Sequence, residues 1–178
     1  MRNLISTGLR RLRGPRTRYA QGDRHATIIS VATVKGGVGK TTTAVNLACG
    51  LAARHRTQVL LVDLDAQGHC TSCLQAGLGG RRARPVSEIL LSDESLELLD
   101  SRVRSGVGNL DLTPADPGLA EAEGRISQKI GKELLLRDAL RVTRSHYDYI
   151  VIDCPPNKGN LTLNALMASQ WVLVPTDL

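Results

Sequence analysis

The stretch Ala26-Thr-Ile-Ile-Ser-Val-Ala-Thr-Val-Lys-Gly-Gly-Val-Gly-Lys-Thr-Thr42 decides the fold. Its first eight residues form a β-branched run of the kind that is buried on both faces in a parallel sheet. Lys35 to Thr42 then places Gly36, Gly37 and Gly39 in one short loop, and residues 43–54 continue as an Ala- and Leu-rich stretch with helical periodicity. Strand, glycine loop and helix in that order make an anion site. Backbone N–H groups can curl round a phosphate only where side chains leave room, and some of those positions need φ > 0. Gly36, Gly37, Val38 and Gly39 would line such a loop, Lys40 would neutralise terminal phosphates, and Thr41 would offer a hydroxyl to Mg²⁺. Thr42 follows at the start of a helix whose positive end faces the anion. The strict pattern G-x-x-x-x-G-K-[ST] fails here, because Val34 stands where its first glycine belongs and a second lysine, Lys35, comes next.

Working outward, Gln58-Val-Leu-Leu-Val62 reads as a second buried strand ending in Asp63-Leu-Asp65, and Tyr149-Ile-Val-Ile-Asp153 as another, stopped by Pro155-Pro156. Asn109-Leu-Asp-Leu-Thr113 is a short strand stopped by Pro114, and Trp171-Val-Leu-Val174 is the last. Between them, residues 132–144 predict a helix whose Leu136, Ala139, Leu140 and Thr143 share a face, and residues 161–168 predict another. Residues 71–107 give weak signals: short helices over 85–91 and 94–99, broken by Gly79-Gly80. Strands alternating with helices predict an α/β protein with a mostly parallel sheet and right-handed crossovers, in which ligands bind outside the carboxyl ends of the strands.

A chain of 178 residues suits one domain with a sizeable core. No Phe, one Trp and three Tyr leave that core to Leu, Val, Ile and Ala, and argue against readers that stack bases on aromatic side chains. No run approaches the roughly 18 apolar residues of a membrane-spanning helix. The formal net charge of +6 resides entirely in residues 1–25, where seven arginines face Asp23 alone. Such an arm could attract phosphate backbones or anionic lipid, lie in solution as a leader, or form a short amphipathic or transit helix through Leu4, Ile5, Leu9 and Leu12. Four cysteines without a secretory signal indicate free thiols. His69-Cys70-x-x-Cys73 could contribute metal ligands, but a closed zinc site needs four, and no second pair has suitable spacing. Cys154 is expected as a small buried residue without chemistry.

Lys35-Gly-Gly-Val-Gly-Lys-Thr-Thr42 resembles the deviant Walker A motif of the ParA/MinD ATPases. The resemblance implies that Lys35 reaches across a nucleotide-sandwich dimer to the partner's phosphates, so that a charge donated in trans stabilises the transition state only when two subunits meet. Val59-Leu-Leu-Val-Asp-Leu-Asp-Ala-Gln-Gly68 is similar to the family's second acidic motif, D-x-D-P-Q-G, with Ala66 in place of proline. It implies that Asp65 orients or activates the attacking water while Asp63 lies near the magnesium shell. Tyr147-Asp-Tyr-Ile-Val-Ile-Asp-Cys-Pro-Pro156 resembles the Walker B strand, which gives Asp153 a Mg²⁺-bound water to hold. Asn109-Leu-Asp-Leu-Thr-Pro-Ala115 and Asn160-Leu-Thr-Leu-Asn-Ala-Leu166 resemble the ParA-type branch, and the likeness runs over residues 27–176.

The resemblance implies a three-layer α/β phosphate-loop NTPase fold over residues 26–178, behind a basic, flexible arm of residues 1–25. It implies ATP and Mg²⁺ as cofactors, an ATP-dependent homodimer, non-specific DNA and a ParB-like stimulator as partners, and a place in the cytoplasm at the nucleoid. It also implies slow turnover by the chain alone, since the second subunit and the stimulator complete the arrangement. Family members continue beyond the strand at Trp171–Val174, so the C-terminal part of the fold is expected to be missing and the last strand to have an open edge. The alternatives are a MinD-like positioning ATPase, an iron–sulfur carrier of the same superfamily, and a catalytically inactive fragment that binds nucleotide or DNA.

Overall fold

Apolar runs with no polar face must be covered on both sides, and two such runs form the middle of the sheet. The computed structural model describes residues 19–54, 57–74 and 83–177; most of the arm, the Gly79-Gly80 break and Leu178 lie outside the described residues. Its strands are β1 (Thr27–Val31), β2 (Val59–Asp63), β3 (Val103–Arg104), β4 (Leu110–Thr113), β5 (Tyr149–Asp153) and β6 (Trp171–Leu173). They form one sheet in the order β3-β4-β2-β5-β1-β6, parallel throughout except for the β3–β4 pair. The register sets Val31 and Asp63 both opposite Asp153, so β1, β2 and β5 end level at one rim.

Side chains alternate across the strands, and each face has its own cover. Val31, Val59, Leu61, Leu110, Leu112 and Val151 face α1 (Lys40–Ala52) and α2 (His69–Cys73). Helix α1 meets the sheet through Ala44, Ala48 and Ala52, a four-residue spacing of small side chains that lets it lie close against the strands. Ile28, Leu60, Val62, Ile150 and Ile152 face the other layer, made of α3 (Val86–Leu91), α4 (Gly118–Ile126), α5 (Leu135–Ala139) and α6 (Asn160–Ala168). The result is three layers, as the α/β reading requires, with each fully buried Leu or Ile worth about 1.5–3 kcal/mol of transfer free energy.

The layer with the weak signals departs most from expectation. Helix α4 went unread because Gly118 and Gly124 dilute its pattern. Gly118 is needed where it stands, since a Cβ there would meet Ser87 Oγ at 2.5 Å. The Asp116 carboxylate beside it accepts the N–H groups of Ser87 and Gly118, and so serves the first turns of α3 and α4 together. The helix expected over residues 132–144 is three pieces: a 3₁₀ turn (Lys132–Leu134), α5, and a 3₁₀ turn (Thr143–Ser145). Leu136 N–H donates to Asn164 Oδ1, and Val142 and Thr143 N–H donate to Glu97 Oε2, so buried side chains take donors that a continuous helix would have used. The expected helix over 94–99 is a 3₁₀ turn at Leu98–Ser101. Residues 19–25 are bonded to the domain: Tyr19 Oη donates to Asp100, Gly22 N–H to Ser145 Oγ, and Arg24 pairs with Asp148.

Candidate functional site

Three segments leave the level rim of β1, β2 and β5 and converge above it. The loop after β1 carries Gly37 at φ 77° and Gly39 at φ 82°, left-handed conformations that favour glycine. A Cβ added at Gly36, Gly37 or Gly39 would meet nothing within 4 Å, so the front of the loop is open. Helix α1 begins behind it with no side-chain cap and no acidic residue in its first turn. Its first N–H groups are therefore available to an anion. Lys40 is buried and its Nζ donates to Lys35 O at 3.3 Å, which curls the loop back over the ammonium group. Thr42 is exposed on the same turn.

Asp153, at the end of β5, sits beneath this loop. Its Oδ2 accepts from Thr41 Oγ1 at 2.8 Å and from Cys70 Sγ at 3.2 Å, while Oδ1 is buried and has no hydrogen-bond partner among the described residues. Asp63, at the end of β2, is wholly buried. Its Oδ2 accepts from Thr71 N–H at 2.9 Å and Thr71 Oγ1 at 2.7 Å, and its Oδ1 from Asp65 N–H at 3.2 Å. Burial pushes Asp63 up to about 6, against the opposing effect of those hydrogen bonds, and burial raises Asp153 as well. Loss of hydration is the main cause for both, and a neighbouring carboxylate adds to it in each case, Asp153 acting on Asp63 and Asp65 on Asp153.

The structure brings together the loop, Lys40, Thr41, Asp63 and Asp153. Asp65 lies just outside, half-buried, with its Oδ1 accepting from Gln67 N–H in a tight turn. Lys35 points away from the cluster: its Nζ bonds both carboxylate oxygens of Asp177. Cys70 was legible only as half of a Cys-x-x-Cys pair, yet it joins Asp63 and Asp153 in a buried group whose ligand atoms lie within 4.8 Å of one another, while Cys73 is exposed. Burial, and after it the neighbouring carboxylates Asp153 and Asp63, raise its thiol pKa, and burial pushes Cys154 up to about 12. A cation could take Thr41 Oγ1, Asp153 and Asp63 as hard oxygen partners, and the orphaned Oδ1 is the kind of atom that such an ion or its water would satisfy.

A family profile described as an AAA domain matches residues 26–178. The chain is 44% identical over 165 residues to the chromosome partitioning protein ParA of Myxococcus xanthus, covering 88% of this chain and 56% of that one. It is 46% identical over 153 residues to the sporulation initiation inhibitor protein Soj of Bacillus subtilis, covering 84% and 58% respectively. Among solved structures, it superposes with a TM-score of 0.75 and 39% identity on cobyrinic acid a,c-diamide synthase from Mycobacterium smegmatis with bound ATP analog and magnesium, over 85% of this chain and 60% of that one. The chain thus spans a little over half the length of the two curated relatives. No described helix is long and apolar enough to cross a membrane. Matched by that profile over residues 26–178 and similar over most of its length to relatives named ParA and Soj, the chain belongs to the AAA-domain family, alongside the ParA/Soj-type members of the ParA/MinD ATPases.

Proposed function

We propose that this chain binds Mg-ATP at the rim of β1, β2 and β5 and hydrolyses it as a ParA-type partitioning ATPase, in a dimer formed on nucleotide. The backbone N–H groups of Gly36, Gly37, Val38, Gly39 and the first turn of α1 receive the phosphates, and Lys40 neutralises them from below. Thr41 and Asp153 hold the metal, with Asp63 beside it. Magnesium, when bound, neutralises the charge that spreads over the transferred phosphoryl oxygens. Asp65 orients the attacking water and Lys35 contributes its charge to the partner's nucleotide. Non-specific DNA is met through basic side chains, the arginine arm among them, and a ParB-like protein stimulates turnover.

The observation that supports this reading most is the Thr41–Asp153 contact of 2.8 Å beside a buried oxygen with no partner among the described residues. That arrangement leaves a buried acceptor unsatisfied, at a cost of about 1–3 kcal/mol, unless a cation or its water arrives. Lys35→Gln tests the dimeric part. Wild-type ATP turnover should rise more steeply than linearly with protein concentration, and K35Q should lose at least about 100-fold of it, since a cationic residue supplied across an interface is worth about 10³–10⁵ in related chemistry. A K35Q chain that hydrolyses at the wild-type rate overturns the assignment.

A further inference from the structure

The topology brings one lysine of the loop after β1 to one carboxylate of the segment after β6. β1 and β6 run parallel and in register, with Val31 opposite Leu173, and Ala32 N–H donating to Leu173 O extends the pairing by one step. Both chains then leave the sheet together. Four residues beyond Val31 stands Lys35, and four residues beyond Leu173 stands Asp177. Equal spacing from a registered pair sets them side by side, and Lys35 Nζ donates to Asp177 Oδ1 at 2.8 Å and to Oδ2 at 2.7 Å. Lys40, five residues on, is turned the opposite way, under the loop. The two lysines of the motif are thus in opposite states: one buried under the loop, the other exposed and held by a carboxylate in the segment after the edge strand.

We propose that Asp177 is a latch on Lys35, holding its ammonium group away from the subunit interface until a nucleotide-loaded partner competes for it. This rests on the reading of Lys35 as the lysine given in trans, and it adds the group from which Lys35 must be taken. The side chains of Lys35 and Asp177 are 66% and 56% exposed, so the pair is weak enough to break in every cycle. It is still bidentate and formed by both oxygens, so the free-lysine population of the monomer is reduced and the apparent affinity of the active dimer falls by the same fraction. An ion pair of this exposure corresponds to an effect of about 2- to 5-fold. The latch is a positioning device: Asp177 acts on the nucleotide only through Lys35.

The test compares wild type, D177N, K35Q and the double variant as full chains, with Mg-ATP, reading unstimulated turnover across protein concentrations and dimer formation by sedimentation. D177N should raise turnover about 2- to 5-fold at protein concentrations below the dimer midpoint and move that midpoint down by a similar factor. The ratio of D177N to wild type should shrink toward one as salt screens the pair. K35Q and the double variant should be equally inactive. D177N at or below the wild-type rate while K35Q is inactive overturns the latch and leaves the trans lysine standing; so does a gain that salt does not alter. K35Q turning over like wild type brings down the trans lysine itself, and the latch with it.

Discussion

Strands β5 and β6 lie on either side of β1, run parallel to it and are built from the same kind of residue, yet one is enclosed and the other is the most open strand of the sheet. In β5, Ile150, Val151 and Ile152 are fully buried; in β6, Trp171 is 66% exposed and Leu173 41%. The difference lies in the neighbours. β5 has strands on both edges and helices over both faces, whereas the described residues give β6 a single strand partner, β1. Chemistry at the strand ends follows from this. Asp153 at the end of the enclosed strand is buried, with its Oδ1 lacking a partner among the described residues, which suits it to an incoming cation; the segment after the open strand carries Asp177, exposed and already paired.

Truncation of one apolar side chain in each strand gives the largest contrast. Ile152→Ala should cost about 2–4 kcal/mol, because the deleted atoms leave a cavity between the sheet and the α3–α6 layer that close packing cannot fill. Leu173→Ala should cost under about 1 kcal/mol, because water already reaches that side chain. Urea unfolding of the two variants decides it, and equal losses would mean that β6 is covered in solution.

Carboxylates sharpen the same contrast through pH. Glu97 is 3% exposed under the α5 layer, with its Oε2 accepting from Val142 N–H, Thr143 N–H and Thr143 Oγ1. Burial raises its pKa, and the hydrogen bonds only partly oppose this. A carboxylate raised on folding binds its proton more firmly in the folded chain. Its contribution to stability is therefore fully present below the unfolded value of about 4.3 and is lost as pH rises through the folded value above it. Glu97→Gln should remove that fall. Unfolding free energies measured from pH 4 to 8 should show the E97Q curve gaining on wild type across the window and running parallel beyond it; curves parallel throughout would refute the assignment.

What could be read in the sequence follows the same division between inside and edge. Every strand of the level rim was legible, because burial on both faces forces a continuous β-branched run, and so was the loop, because glycine at fixed spacing has few other uses. Asp63 and Asp153 were legible as strand ends. Helix α4 and the broken helix before β5 were not, since their form depends on Asp116, Glu97 and Asn164, polar side chains distant in sequence that take over backbone donors. Cys70 drew notice only as a metal-ligand spacing with Cys73. Its place beside Asp153 depends on how α2 follows the turn at Gly68, where φ is 63°, which no local pattern announces. Lys35 drew notice through the family resemblance, but its contact with Asp177 was not legible, because that contact exists only through the β1–β6 register.

The smallest expected effect bears on the edge itself. Val172 pairs in register with Ser30 of β1 and is 48% exposed, so a polar replacement gives up little apolar burial. Val172→Lys should change the unfolding free energy by no more than about 0.5 kcal/mol, the usual range for a surface site, with a few tenths of that from lower strand propensity. The same lysine should act strongly on association. An open edge offers unpaired N–H and C=O groups to another chain, and a charge beside them opposes that pairing without touching the interior. Light scattering of concentrated protein should therefore begin later, or at higher concentration, in V172K than in wild type. Loss of more than about 2 kcal/mol in this variant would place Val172 in a packed environment and erase the distinction between the two strands, whereas unchanged stability with unchanged aggregation would keep the distinction and move the cause of association elsewhere on the surface.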